Sequence, residues 1–389
     1  MKKWLKSLSK SCFPYEPLIT IEISKSRLLD NLNEFRKLVP NGQIAPVLKS
    51  NAYGHGLLEV AQILNSARSD LVNGDIPFFV VDSYFEAIAL RAKGIKTPLL
   101  IIGYSHPETI ANSRLKNISF TVSSVEVLHA LSKYKKIKSP IHLKIDTGMH
   151  RQGILPEEVN QAIEIIKNNK NIKIEGIASH LSDADNLDTF FTQKQIILWN
   201  SIVDKFKKTF PDIKYFHISN TDGNKFSDKI KSNVSRLGIG LYGLKDGDLF
   251  EHKINLLPVL KMKTIITSIK QIKKGETVGY GNTFKALNDM RIATIPVGYF
   301  EGVDRRLSNV GTILVGDNNI PCPIIGHVSM NITSIDVSNV KDIKINTPVT
   351  VISDNSSDQN SIISIAQKCN TIHYEIVVKI PAHLKRVIV

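Results

Sequence analysis

The 389-residue chain is poor in cysteine, with three, Cys12, Cys322 and Cys369. The number is odd, the spacing is wide and no CxxC pair occurs. A disulfide framework and a thiolate zinc site are therefore excluded, and a reducing, cytoplasmic compartment is expected. Long apolar runs are missing too. Leu99-Leu100-Ile101-Ile102 is among the longest, so no 18-residue stretch can cross a membrane as a helix. The basic start, Met1-Lys2-Lys3-Trp4-Leu5-Lys6, lacks the apolar core of a secretion signal, because Ser7, Ser9, Lys10 and Ser11 interrupt it. Twenty-two glycines and 16 prolines are too few for a collagenous or low-complexity chain. HExxH and GxSxG are absent, and no GxGxxG follows the first strand-like run.

Acidic residues are outnumbered, 36 against 50 Lys and Arg, for a formal charge of +14. The excess sits in short clusters such as Lys133-Tyr134-Lys135-Lys136 and Lys205-Phe206-Lys207-Lys208, at the ends of helical patterns, where positive charge suits the helix dipole. This distribution favours solvated helix ends over nucleic-acid or membrane binding, and leaves a field that can steer anionic ligands.

From residue 44 to 243 one rhythm recurs. A short β-branched run is followed by a turn and then an amphipathic segment. Eight such runs occur: Ile44–Leu48, Phe78–Val81, Leu99–Ile102, Ile118–Val122, Ile141–Ile145, Ile174–Ile177, Tyr215–Ser219 and Val234–Leu237. A helix from about Ser26 to Val39 precedes the first. Ser123 or Ser124 can cap the helix that starts at Val125, and Pro156-Glu157-Glu158 opens another. Eight alternations in some 200 residues predict an α/β protein with an N-terminal (β/α)8 TIM barrel, over an open doubly wound sheet. Beyond Glu251–Pro258 the pattern turns to strands, at Val259–Ile269, Ile292–Ile295, Thr312–Val315, Val349–Ile352 and Val387–Val389, with a hairpin turn at Gly316-Asp317-Asn318-Asn319. The expected organisation is a barrel over 1–255, including an extension 1–17, and a mainly β domain over 256–389.

In such a barrel the active site forms at the C-terminal ends of the strands. The polar residues expected there are Lys49, Asn51, Tyr53 and His55, then Lys144, Asp146 and Arg151, then His180, Asn220, Thr221 and Arg236. Most are cations or donors. Carboxylates are few, which argues against a paired-carboxylate glycosidase and a Mg²⁺ or Ca²⁺ site. The set suits an anionic ligand. Taken alone, Lys49 and Lys144 read first as structural or surface lysines and only second as buried, reactive amines. Asn51–Gly56 alone reads as a phosphate-approaching backbone or a tight turn.

Val47-Leu48-Lys49-Ser50-Asn51-Ala52-Tyr53-Gly54-His55-Gly56 resembles the cofactor-lysine motif of the alanine racemases. His142–Gly153, Glu175–His180, Ser219-Asn220-Thr221, Ser235–Gly243, Val278-Gly279-Tyr280-Gly281, Ile295–Tyr299, Gly326–Asn331 and Tyr374-Glu375-Ile376 follow in the family's order, from about residue 18 to the end. The resemblance implies pyridoxal 5'-phosphate bound in the barrel and interconversion of L- and D-alanine, for peptidoglycan supply. It implies that Lys49 holds the cofactor aldehyde covalently and serves as base on one face of the substrate. Tyr280, from the second subunit of a homodimer with shared sites, serves on the other. Tyr53, Thr221, Gly238 and Ile239 are implied to meet the phosphate. Arg236 would face the pyridine nitrogen, with His217 orienting it. His180 would lie beside the ring and Asn220 near it. Arg151 and the Met330 N–H are implied for the substrate carboxylate, and Lys144 as a position that carries a carbamate in many relatives. Three departures put substrate choice in question: His327 for a usual Arg, Asn331 for a usual Asp, and Ala382 where some relatives have a tyrosine. Serine or another small amino acid is the alternative substrate. A basic amino-acid decarboxylase of the same fold lacks the Tyr280 and Arg236 contexts. A non-catalytic cofactor-binding homologue is the remaining alternative.

Overall fold

A computed structural model describes residues 15–67, 76–245 and 254–389. The lysine-rich start, Cys12 and the first part of the expected boundary at 251–253 lie outside the described residues. The chain divides into two compact units. One is Ile23–Val259 with Ile388–Val389, and the other is the described residues up to Glu22 with Leu260–Val387.

The first unit opens with helix α1 (Lys25–Leu38). Ser24 caps it by accepting from Arg27 N, and Leu28, Asn31, Leu32 and Phe35 form its buried face. Eight strands follow: β2 (Gln43–Pro46), β3 (Phe79–Val81), β4 (Leu99–Ile101), β5 (Ile118–Val122), β6 (Ile141–Lys144), β7 (Ile174–Ala178), β8 (Tyr215–His217) and β9 (Val234–Leu237). Strands β3 to β8 form one parallel sheet in sequence order, and β2 pairs with β9 in parallel. The ring closes at two seams. Val47 bridges Val80, with Leu48 N donating to Val80 O at 2.7 Å. On the other side Asn233 N donates to Phe216 O and Arg236 N to Ser219 O. The result is the (β/α)8 barrel, with near-continuous apolar strands as burial on both faces requires: β3, β4, β5 and β9 are buried throughout.

The intervening helices pack by the expected stripes. Ser124, of the two candidate caps, accepts from Val127 N. Pro156–Glu158 opens its helix as a 3-10 turn, and Glu158 closes it by accepting from Leu155 N. The longest helix (Phe190–Thr209) buries Trp199, Ile202, Val203 and Phe206.

The second unit is mainly β. Its larger sheet has the order β16-β15-β18-β10-β1-β19, where β1 is Thr20–Ile23, β10 Leu260–Ile265, β15 Thr312–Val315, β16 Ile320–Pro323, β18 Pro348–Ile352 and β19 Lys385–Ile388. Strand β1 thus belongs to this sheet although it precedes the barrel in sequence. The run Val259–Ile269, which reads as one strand, is broken. Ile266 N bonds to Thr347 O and Thr267 N to Thr294 O, so the chain leaves one sheet at Ile265 and enters a second at Ser268. That second sheet joins β11 (Ser268–Ile272), β14 (Met290–Ile295) and β17 (Thr333–Asp336). The hairpin at Gly316–Asn319 forms, pairing Val315 with Ile320.

Candidate active site

Lys49 follows β2 by three residues and starts an unusual stretch. Ser50, Asn51 and Ala52 all lie near φ +55°, ψ +48°, and Tyr53 has φ +51°. Four consecutive non-glycine residues make a left-handed turn. Each costs about 1–2 kcal/mol relative to the right-handed form. The glycine-punctuated motif suggests that glycines carry the turn. They stand after it, at Gly54 (φ +79°) and Gly56 (φ +108°). Polar side chains hold it: Glu86 Oε1 accepts from Asn51 N at 3.3 Å, and Asn51 Oδ1 accepts from Leu57 N at 2.9 Å. Backbone strain of this size persists where the surroundings enforce it, and it clusters at functional sites.

The Lys49 amine is pulled below the ordinary lysine range, first by burial. Arg151 and Arg236 add to the shift, while Asp82 and Glu86 oppose it. Lys144, the last residue of β6, is pulled down to about 8 by burial and by Arg236, Arg151 and Lys49, against Asp146. Lys49, Lys144, Arg151 and Arg236 therefore feel one another at the C-terminal ends of the strands. Arg151 itself is exposed, in a loop whose start is pinned by Asp146 Oδ1, which accepts from Gly148 N and His150 N. A cluster of this charge suits an anion.

Arg236 is the buried cation of β9, 8 % exposed, and burial brings its guanidinium down to about 10, so it stays charged at neutral pH. Nη1 donates to His217 Nδ1 at 2.6 Å and His217 O at 2.7 Å. Nη2 donates to Ser179 O at 2.7 Å, His180 Nδ1 at 3.0 Å and Ile218 O at 3.1 Å. Among the described residues nothing accepts from Nε–H. Behind it, His217 Nε2 meets His142 Nδ1 at 2.8 Å, and His142 Nε2 lies 3.6 Å from Glu175 Oε2. Burial and Arg236 hold His180 and His217 well below the usual imidazole range, and burial lowers His142 as well. Gly176 makes room for this line, since a Cβ there would stand 2.7 Å from His142 Nδ1.

A cradle adjoins Arg236. A Cβ at Gly238 would lie 3.0 Å from Tyr53 Oη and 3.9 Å from Thr221 Oγ1, so that position is ringed by hydroxyls. Gly240 N donates to Thr221 Oγ1 at 3.3 Å. Among the described residues, the N–H groups of Gly238 and Ile239, at the start of a short turn, have no protein acceptor. Burial raises the Tyr53 phenol to about 12, so it remains a donor. Asn220 shapes the preceding loop by accepting from Gly223 N at 2.9 Å.

The two sequence-derived site residues of the second unit meet in one pocket of about 700 Å³. Tyr280 and Met330 line it together with Tyr299, Asp304, Arg305 and Lys379. Tyr280 is 73 % exposed and Met330 55 %. The structure therefore groups Lys49, Tyr53, Lys144, Arg151, His180, Thr221, Arg236, Gly238 and Ile239 in the barrel, and Tyr280 with Met330 in the β unit. Sequence reasoning assigned no duty to His142, Glu175, Tyr299 or Arg305. For His142 a signal was present: it shares a face of β6 with Lys144, two residues away. Among the described residues no His, Cys, Asp and Glu group could hold a metal ion.

The N-terminal domain model of alanine racemase matches residues 23–246, and the C-terminal domain model matches 259–388. The chain belongs to the alanine racemase family. It is 34% identical over 375 residues to the alanine racemase of Methanococcus maripaludis, covering 95% of this chain and 98% of that one. The alanine racemase of Clostridium difficile 630 superposes with a TM-score of 0.87 at 29% identity, with 96% of each chain covered. A histidine racemase from Leuconostoc mesenteroides also aligns, at TM-score 0.83 and 25% identity, covering 97% of this chain and 99% of that one. The alanine racemase family is known to depend on pyridoxal phosphate. The residues here fit that group on three counts. The Gly238 hollow among hydroxyls and unpaired N–H groups suits a phosphate. The Arg236 Nε–H suits an unprotonated ring nitrogen. The lowered Lys49 amine suits an aldehyde. No described helix is long and apolar enough to cross a membrane.

Proposed function

We propose that this chain is a pyridoxal 5'-phosphate-dependent racemase that interconverts L- and D-alanine, with Lys49 and Tyr280 as its two proton-transfer groups. The observation that carries the reading is the Lys49 amine. It is set on a strained left-handed turn, lowered in basicity, and surrounded by cations in a family-matching barrel. Bound, the cofactor supplies an electron sink for the pair left when the Cα proton departs.

The chain's own groups do the rest. Tyr53 Oη, Thr221 Oγ1 and the N–H groups of Gly238 and Ile239 hold the phosphate by charge-assisted hydrogen bonds. Arg236 has only protons to offer, so it would hold a ring nitrogen facing it unprotonated. That weakens the sink and disfavours side reactions that need a long-lived carbanion. His180 and Asn220 would flank the cofactor ring. Arg151 binds the substrate carboxylate together with the Met330 N–H, which comes from the second subunit with Tyr280, since the two line one pocket. Lys49 Nζ takes or returns the proton on one face of Cα. Tyr280 Oη, from the second subunit of a homodimer, does so on the other, because inversion requires groups on opposite faces. The product D-alanine would feed peptidoglycan synthesis in the cytoplasm.

A chiral assay of D-alanine formation by purified protein with added cofactor tests the reading. Lys49→Ala should abolish racemisation, and Tyr280→Phe should lower it at least about a hundredfold with cofactor retained. A wild-type protein that binds cofactor but racemises nothing overturns it in favour of a binding homologue. His327, Asn331 and Ala382 favour a second reading, in which serine or another small amino acid is preferred. A panel of L-amino acids, histidine included, separates the two.

A further inference from the structure

Asn331 follows Met330 directly, and its contacts tie that segment to a buried carboxylate. The turn Gly298–Glu301 and the segment Ser329–Asn331 lie backbone against backbone. A Cβ at Gly298 would fall 2.2 Å from Ser329 O and 2.4 Å from Met330 O. Tyr299 N donates to Ser329 O and Phe300 N to Met330 O, both at 3.0 Å. The Glu301 carboxylate, 6 % exposed, closes the junction. One oxygen accepts from Gly298 N at 2.8 Å and the other from Asn331 Nδ2 at 2.6 Å. Just beyond, Thr333 Oγ1 donates to Val297 O at 2.6 Å. Between these ties sits Met330, whose N–H has no acceptor among the described residues and which lines the pocket with Tyr280.

We infer that Asn331 is a positioning residue. Its amide ties Glu301 to the Ser329–Asn331 segment and so fixes the Met330 N–H that receives the substrate carboxylate, a role that rests on the racemase reading above. An ionised carboxylate can only accept, so residue 331 must donate. The neutral amide does this without a counter-ion. An aspartate there would set a second carboxylate against that of Glu301 at a part-buried junction.

The test is Asn331→Asp, Glu301→Gln and their double variant, in the full chain with cofactor. Asn331→Asp should raise KM for alanine about tenfold or more with kcat changed by less than about threefold. The double variant reverses acid and amide, so KM should return to within about threefold of wild type. The cofactor absorbance should be retained throughout. Thermal melting gives a second readout: Asn331→Asp should lower the Tm, and the double variant should recover it. A wild-type KM in Asn331→Asp, or a double variant as impaired as the single, overturns the assignment. If the wild type does not racemise alanine, the racemase reading fails instead, and the melting series still decides whether the clamp exists.

Discussion

Lys144 ought to capture carbon dioxide, with a pH dependence that can be worked out in advance. Only the neutral amine adds to the carbon of CO₂. The nitrogen lone pair forms the N–C bond, the proton leaves to solvent, and a carbamate of charge −1 replaces an ammonium of +1. An ordinary lysine of pKa 10.5 is neutral in about one molecule in 3,000 at pH 7. Lowered to about 8, it is neutral in about one in ten, a gain of roughly 300-fold. The causes are burial first and then Arg236 and Arg151, and the two arginines are also what would stabilise the anionic product. Modification should therefore increase as pH rises toward about 8 and level off above it. The assay is ¹³C NMR of the whole protein in labelled bicarbonate between about pH 6 and about pH 9. One signal is expected, with its midpoint near pH 8, lost in Lys144→Ala. No Lys144-dependent signal across that range, or a midpoint at the pH of surface lysines, refutes the reasoning.

Other substitutions separate ligand binding from folding. Gly238→Ala places a methyl group 3.0 Å from Tyr53 Oη and should weaken cofactor binding about 10- to 100-fold in an absorbance titration, with little change in the melting of the cofactor-free protein. Gly240→Ala should do the opposite. Its Cβ would lie 2.5 Å from Phe35 Cζ in the barrel core, and overpacking costs about 1–3 kcal/mol, seen as a lowered denaturant midpoint. Ser50→Gly should stabilise the chain by about 0.5–1 kcal/mol. Relief of the left-handed conformation outweighs the added freedom of the unfolded state, and equilibrium unfolding would show it.

The barrel was legible because its strands are short, apolar and separated by helices, so period and spacing agree. Ile118–Val122 and Val234–Leu237 match to the residue. The β unit was less so. Its sheet recruits Thr20–Ile23 from the far end of the sequence, and pairing between such distant segments leaves no local signal. The break at Ile266-Thr267 is hidden for a related reason, since Ile266 bonds to Thr347, just before β18, and Thr267 to Thr294 in β14. In the site, cations and glycines could be found from motifs and strand ends. The left-handed turn could not, because Ser50, Asn51 and Ala52 carry no glycine to announce it. Of the line from Arg236 to Glu175 only the first link, His217 orienting Arg236, was implied; the rest needs three strands set side by side before His142 and His217 touch.

That line has a polarity. Since the guanidinium gives a proton to His217 Nδ1, the hydrogen of that ring must sit on Nε2, where it is spent on His142 Nδ1. The His142 hydrogen is thereby driven to Nε2, the atom turned to Glu175. One residue at the top of β9 thus dictates both tautomers beneath it. Neither ring can accept a second proton without turning an N–H against a neighbouring donor. The two imidazoles are consequently spectators to acidity, and Arg236 at one end of the line answers to the Glu175 carboxylate at the other.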